Sequence, residues 1–223
     1  MDTAISPIIK QLAAHAADLV SFELCPRTCG AKRLSGERGV CGADATLRIA
    51  RAALHEWEEP CISVGAGSGA VFFSYCSLHC IYCQNHDIAQ GAHGTDITVE
   101  RLTAIFQELA VQGAANINLV TPTHYWPHIA AAQDALGEFD LPFVCNTSGY
   151  ERAETVRAYA KYVDVYLTDF KYDSDARSDA ARRYSHAPDY FEVATEALDA
   201  MVECAGAPTW NSKTGDRLLS GVV

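Results

Sequence analysis

The sequence predicts an α/β fold, a partial (β/α) barrel of parallel strands, and three observations carry that expectation. Strand-like and helix-like segments alternate from Val71 onward, a pattern that needs right-handed crossovers between parallel strands. Each chemically distinctive motif follows directly on one of those strands, where functional groups gather in such barrels. The length, 223 residues and 24.1 kDa, suits one domain with a small N-terminal extension.

Ser6-Pro7 reads as a helix start, a hydroxyl cap followed by proline at the first helical position. Ile8, Ile9, Leu12, Ala16, Leu19 and Val20 then recur at helical spacing. Residues 21–64 read as turns, with short strands at best, and hold the first four cysteines. A Cys-rich N-terminal extension with one helix is therefore expected over 1–64 and the barrel over 65–223. The run Gly65-Ala-Gly-Ser-Gly69 precedes a strand instead of opening a helix, so it reads as a close-packing turn and not as a phosphate cradle. Strands are expected at 70–75, 116–121, 142–146, 163–168 and 218–223, and helices at 98–112, 127–136, 151–161 and 188–203. Thr98 can cap the first of these helices, Pro127 opens the second and Gly137 ends it. The sequence stops at Leu218-Leu-Ser-Gly-Val-Val223, in mid-strand, which would leave an apolar edge bare. A chain truncated at its C-terminus is the expectation.

Composition narrows the function classes. Hydrophobic residues at 49% and charged residues at 20% are ordinary for a globular protein. No apolar run approaches the roughly 18 residues of a membrane helix. Met1-Asp-Thr-Ala4 has no basic patch before an apolar core, so no secretory signal is expected and a cytoplasmic location is. Lys and Arg number 17 against 28 Asp and Glu, a net charge of -11, which argues against a nucleic-acid partner.

Nine cysteines are the abnormal number, and seven of them, Cys25, Cys29, Cys41, Cys61, Cys76, Cys80 and Cys83, precede residue 84, with only Cys145 and Cys204 beyond. An odd count crowded into one third of the chain does not suit a disulfide scaffold, so the thiols read as metal ligands. The tightest group, Cys76-Ser-Leu-His-Cys80-Ile-Tyr-Cys83, follows the strand-like Ala70–Tyr75. Structural zinc wants four closed ligands and an iron–sulfur cube ordinarily four thiolates. Three thiols on one loop leave a coordination position open for a small molecule.

This Cys-x3-Cys-x2-Cys loop, with Tyr82 just before its last cysteine, resembles the radical S-adenosylmethionine (radical SAM) superfamily. Trp57-Glu-Glu-Pro-Cys61-Ile-Ser63, Cys80-Ile-Tyr-Cys83-Gln-Asn85, Asn116-Ile-Asn-Leu-Val-Thr-Pro-Thr-His124, Asn146-Thr-Ser-Gly149 and Asp169-Phe-Lys171-Tyr172 are similar to homologues of the pyruvate formate-lyase activating enzyme, the glycyl-radical activases. The resemblance covers nearly the whole chain. It implies a six-stranded partial barrel and a 4Fe–4S cluster on Cys76, Cys80 and Cys83, its fourth iron chelated by S-adenosylmethionine. It implies reductive cleavage of that ligand to a 5′-deoxyadenosyl radical, which abstracts hydrogen from a substrate, a glycine of a partner enzyme being the candidate. An electron donor such as a flavodoxin or ferredoxin is implied as well.

By the same resemblance Tyr82 would lie against the adenine, and Asp169 and Lys171, two apart and so on one face of a strand, would contact S-adenosylmethionine. Asn146 stands where the activating enzymes typically carry aspartate. Thr121-Pro-Thr-His124 replaces a Gly-Gly-Glu segment, which makes Thr121, Thr123 and His124 the positional candidates for its role. Cys25, Cys29, Cys41 and Cys61 offer a possible second metal site, a tetrahedral zinc or an electron-delivering cluster. His124 and His128 are four apart, but Pro127 between them argues against a zinc pair. The other histidines read as solvated or structural, and Cys145 and Cys204 as packed small hydrophobes. Two other classes stay open: a non-catalytic iron–sulfur carrier whose cluster Cys61 completes, and a zinc-stabilised binding module.

Overall fold

A computed structural model describes residues 10, 12–174, 179–212 and 217–223. The expected helix start at Ser6-Pro7, with Ile8 and Ile9, lies outside them. Leu12 and Leu19 are fully buried, and Ala13–Leu19 forms a 3-10 helix.

One mixed sheet organises the fold. Its strands are β1 (Arg48–His55), β2 (Ser68–Phe73), β3 (Thr95–Asp96), β4 (Ile117–Val120), β5 (Phe143–Thr147), β6 (Val165–Thr168), β7 (Thr209–Trp210) and β8 (Leu218–Val222), in the order β3-β1-β2-β4-β5-β6-β8-β7. The pairs from β2 through β4, β5 and β6 to β8 are parallel, whereas the pairs β1–β2 and β1–β3 at one edge and β7–β8 at the other are antiparallel. The helices are α1 (His86–Ala89), α2 (Val99–Val111), α3 (Trp126–Leu136), α4 (Ala153–Tyr159), α5 (Asp179–Ser185) and α6 (Tyr190–Ala205). The five expected strands and four expected helices are therefore present, each within two residues of its expected ends, except that α4 closes in a separate 3-10 turn, Ala160–Tyr162.

The local reasons are visible in the backbone. The Thr98 hydroxyl accepts from the Arg101 amide at 3.2 Å, filling one of the orphan donors at the start of α2. Pro127 sits in the first turn of α3 and Gly137 follows its end with φ +67°. The glycine run is a turn into β2: a side chain on Gly67 would stand 2.8 Å from the carbonyl oxygen of His55, so β1 and the turn meet through bare backbone.

Residues 21–64 depart from expectation, because they include the eight-residue strand β1. Arg48-Ile-Ala-Arg-Ala-Ala-Leu-His is poor in β-branched residues and carries little local strand signal; its pairing with β2 along Ile49–His55 makes it a strand. The same segment shares the main core. Leu12, Leu19, Phe22, Cys25 and Cys41 pack in one cluster with Val71, Phe106, Leu119 and Ile129, and each enclosed Leu or Phe contributes about 1.5–3 kcal/mol. A second, smaller cluster of Leu78, Tyr150, Ala181, Ala187, Tyr190 and Ala194 lies against Cys76, Cys80 and Tyr172. That second cluster positions the site.

Candidate active site

The cysteine loop leaves β2 through Ser74 and Tyr75. The Tyr75 amide donates to Ile88 O at 2.9 Å and the Ser74 hydroxyl to His93 O at 2.8 Å, so α1 and the turn after it are tied to the loop. Tyr75 and His79 both have left-handed backbones, φ +75° and +51°, a conformation that costs non-glycine residues and clusters at functional sites. Gly91 makes the first possible, for a side chain there would stand 2.1 Å from the Tyr75 ring. Leu78 is fully buried and anchors the loop in the second cluster. Arg27, from the N-terminal segment, braces it: Nε donates to Ser77 O at 2.9 Å and Nη2 to Ser185 O at 2.9 Å, over the face of Tyr150.

A cavity of about 590 Å³ opens where β2, β4, β5 and β6 end. Cys76, Cys80, Cys83 and Tyr82 form one wall, and Thr121, Asn146, Asp169 and Lys171 line it from the three following strand ends. Separate segments thus deliver eight of the sequence-predicted residues to one space. Thr123 is not among them; it is buried, and its hydroxyl donates to Glu151 at 2.6 Å. His124 is also turned away. Its Nε2 bonds Ser74 O at 2.8 Å, and burial pushes its pKa down to about 3, so it is a neutral brace beneath β2. His128 is alike, bonded to Ala45 O at 2.9 Å and pushed down to about 4 by burial. Nothing here makes the two a metal pair.

The strand ends are locked together. Thr121 N donates to Asn146 O at 2.9 Å and Asp169 N to Thr147 O at 3.0 Å. The buried Tyr190 hydroxyl donates to Ser148 O at 2.6 Å and accepts from Lys171 N at 2.9 Å. Gly149 has φ +78°, and a side chain there would lie 2.4 Å from Asp169 O. Thr121 itself has φ +59°, a left-handed turn that glycine would adopt without strain. Lys171 Nζ and an Asp169 carboxylate oxygen form an ion pair at the cavity wall.

Two lining residues, Arg51 and His55 from β1, carried no signal in the sequence, whereas Trp57, Glu58, Thr147 and Ser148 stand inside motifs that carry the resemblance but have no role in the site assigned by it. Glu151 was missed as well. Burial pushes its carboxyl up to about 7, while the Thr123 and Thr147 hydroxyls, donating to the same oxygen at 2.6 and 2.5 Å, pull it down.

The proposed second metal site is not assembled. Cys25, Cys29 and Cys41 lie together in or against the main core, but Cys61 is elsewhere, beside Ile62, Val144, Val165 and Leu218. The Asn116 side chain fixes that segment, donating to Ile62 O at 2.7 Å. Cys61 lines a separate cavity of about 290 Å³ with Glu58, Glu59 and Asp169. Near the other three thiols, Arg33 Nη2 stands 3.2 Å from Cys41 Sγ, placing a guanidinium where a metal would bring its charge. Burial pushes the Cys25 thiol up to about 12. Cys145 is buried as expected, but Cys204 is exposed on α6, on the side of the helix that faces solvent.

The chemistry of the remaining donors suits an iron–sulfur cluster. Cys76, Cys80 and Cys83 offer three thiols on one loop, and burial pushes the Cys76 thiol up to about 11, a cost that binding to a cationic iron offsets. A single zinc ion needs its ligands at one point, and no group of three His, Cys, Asp or Glu among the described residues converges in that way. A cube takes each thiolate at a separate iron, so its three ligands need not meet at one point. No helix among the described residues is long and apolar enough to cross a membrane.

A family model described as "Radical SAM superfamily" matches residues 70–211. An uncharacterized protein of Methanocaldococcus jannaschii is 30% identical over 179 residues, covering 76% of this chain and 50% of that protein. The chain thus spans about half the length of that relative. No solved structure matches.

Proposed function

Since the chain belongs to the radical SAM superfamily, and so to enzymes of radical chemistry, we propose that Cys76, Cys80 and Cys83 hold its 4Fe–4S cluster and that the 590 Å³ cavity holds S-adenosylmethionine. When bound, that pair supplies reductive carbon–sulfur cleavage and a 5′-deoxyadenosyl radical that takes hydrogen from a substrate; the protein's part is to orient and to exclude water. The observation that carries the reading is the convergence of the three thiols with Tyr82, Thr121, Asn146, Asp169 and Lys171 on one space of ligand size.

Each residue then has a task. Tyr82 offers an aromatic face with its hydroxyl held by Tyr172 at 2.7 Å, suiting a nucleobase. The Asp169–Lys171 pair presents one carboxylate and one ammonium, a match for the amino and carboxylate groups of an amino-acid ligand. Asn146 adds a neutral hydrogen-bonding amide at the adjacent strand end, where a carboxylate would add charge.

The finer reading is a glycyl-radical activase: the substrate is a glycine of a partner protein, and a flavodoxin or ferredoxin delivers the electron. Trp57, 88% exposed at the cavity rim, supports a macromolecular partner, because exposed aromatics beside a pocket anchor protein contacts. We read the five parallel strands as part of the six-stranded partial barrel of that family, in a cytoplasmic enzyme. The experiment is anaerobic reconstitution with iron and sulfide, then dithionite and S-adenosylmethionine. Release of 5′-deoxyadenosine is the expected result. No release from a protein that has taken up the cluster would overturn the enzymatic reading and leave an electron carrier.

A further inference from the structure

Helix α5 ends at Ser185, a residue with no exposed surface. Its hydroxyl donates to Cys80 Sγ at 2.9 Å. Tyr172 Oη lies 2.5 Å from Ser185 Oγ, and Tyr82 Oη lies 2.7 Å from Tyr172 Oη. A hydroxyl has one proton to give. With the Ser185 proton committed to sulfur, Tyr172 donates to Ser185 and Tyr82 to Tyr172. Three O–H groups in series therefore point at one cysteine sulfur.

We propose that this Tyr82–Tyr172–Ser185 chain raises the reduction potential of the cluster carried by Cys80, with Ser185 as the positioning residue in contact with the thiolate. The inference rests on the reading of Cys80 as a cluster ligand. Hydrogen bonds to ligand sulfurs are among the levers that set such potentials. Reduction adds negative charge that is shared with the thiolates. A donor aimed at one of them stabilises the reduced state more than the oxidised state, because hydrogen bonds to charged acceptors strengthen with that charge. Donors in series polarise one another and add to the effect.

The fold holds the chain in place from both sides. Ile81 N, next to Cys80, donates to Tyr184 O at 2.8 Å. Arg27 joins Ser77 O in the cysteine loop to Ser185 O and His186 O at the end of α5. Loop and helix end are thus tied to each other directly. The contact to Cys76 is longer, for its sulfur accepts from the Leu78 amide at 3.4 Å. Tyr82 also lines the cavity, so the outer end of the chain lies where a cavity ligand would touch it.

The test is a redox titration of the anaerobically reconstituted full chain, read by electron paramagnetic resonance, with iron and sulfide content measured on each sample. Ser185→Ala should keep its iron, while its reduced-to-oxidised ratio at a fixed potential falls about tenfold, equivalent to a midpoint about 59 mV lower for a one-electron couple. Tyr172→Phe leaves the Ser185 donor in place and should shift the midpoint in the same direction by less. Equal midpoints in wild type and both variants, at equal iron content, would overturn the proposal. If Ser185→Ala loses its iron, Tyr172→Phe decides alone. If the wild type takes up no iron and sulfide, the reading of Cys80 as a ligand fails first, which is a different result.

Discussion

Glu151 is buried, and its carboxylate oxygen is met by two threonine hydroxyls. Its folded-state pKa, raised from 4.5 to about 7 mainly by burial, has a definite consequence for stability. A carboxyl whose pKa is raised on folding binds its proton more tightly in the folded chain. The associated stability is fully present below pH 4.5 and is lost as pH climbs through 7, a change on the order of 3 kcal/mol. Glu151→Gln cannot ionise and should flatten that decline, raising Tm relative to wild type above pH 7; melting curves at several pH values check this. At the cavity wall, Lys171→Ala removes a charged hydrogen-bonding group. The expected loss of about 1.5–3 kcal/mol means S-adenosylmethionine binding at least tenfold weaker, measured by equilibrium dialysis on the cluster-loaded protein. Neither Glu151 nor Ser185 could be found from sequence alone. Ser185 meets Cys80 across 105 positions, and local spacing says nothing about such a pairing.

Among the elements, the cysteine loop depends most on backbone conformation. Gly91 combines φ +73° with a Tyr75 ring 2.1 Å from where its side chain would begin, so Gly91→Ala adds overpacking, about 1–3 kcal/mol, to the strain of a left-handed alanine. Gly36, with φ +83° and open space around it, is the control that carries the strain alone, about 1–2 kcal/mol. Chemical denaturation should rank Gly91→Ala as the less stable of the two, and iron uptake should fall for Gly91→Ala only. The parallel strands were legible because runs such as Ile117-Asn-Leu-Val120 and Phe143-Val-Cys145 combine apolar or β-branched residues with flanking turns. Strand β1 was not, since alanine-rich Arg48–His55 is made a strand by its partner. Cys61 stands apart from the thiols with which it was grouped for a related reason. Its spacing from Cys41 is silent about β1, which lies between them in the chain.

For the molecule as a whole, the strand ends form a frame in which Thr121, Asn146, Thr147 and Asp169 line one opening, and the cysteine loop walls it. Thr121, Asn146 and Asp169 stand at the ends of β4, β5 and β6, and that common position explains why motif order in the sequence revealed so much of the site. What the order could not reveal was which thiols share a space, and there the structure keeps Cys76, Cys80 and Cys83 together while separating Cys61 from Cys25, Cys29 and Cys41. The central claim is a cluster with one iron left for S-adenosylmethionine. Electron paramagnetic resonance of the reduced, reconstituted protein, recorded before and after S-adenosylmethionine is added, tests it most directly. The account predicts a changed spectrum on addition, absent when Cys80→Ser prevents cluster loading; a spectrum from the loaded wild type that does not respond would contradict it.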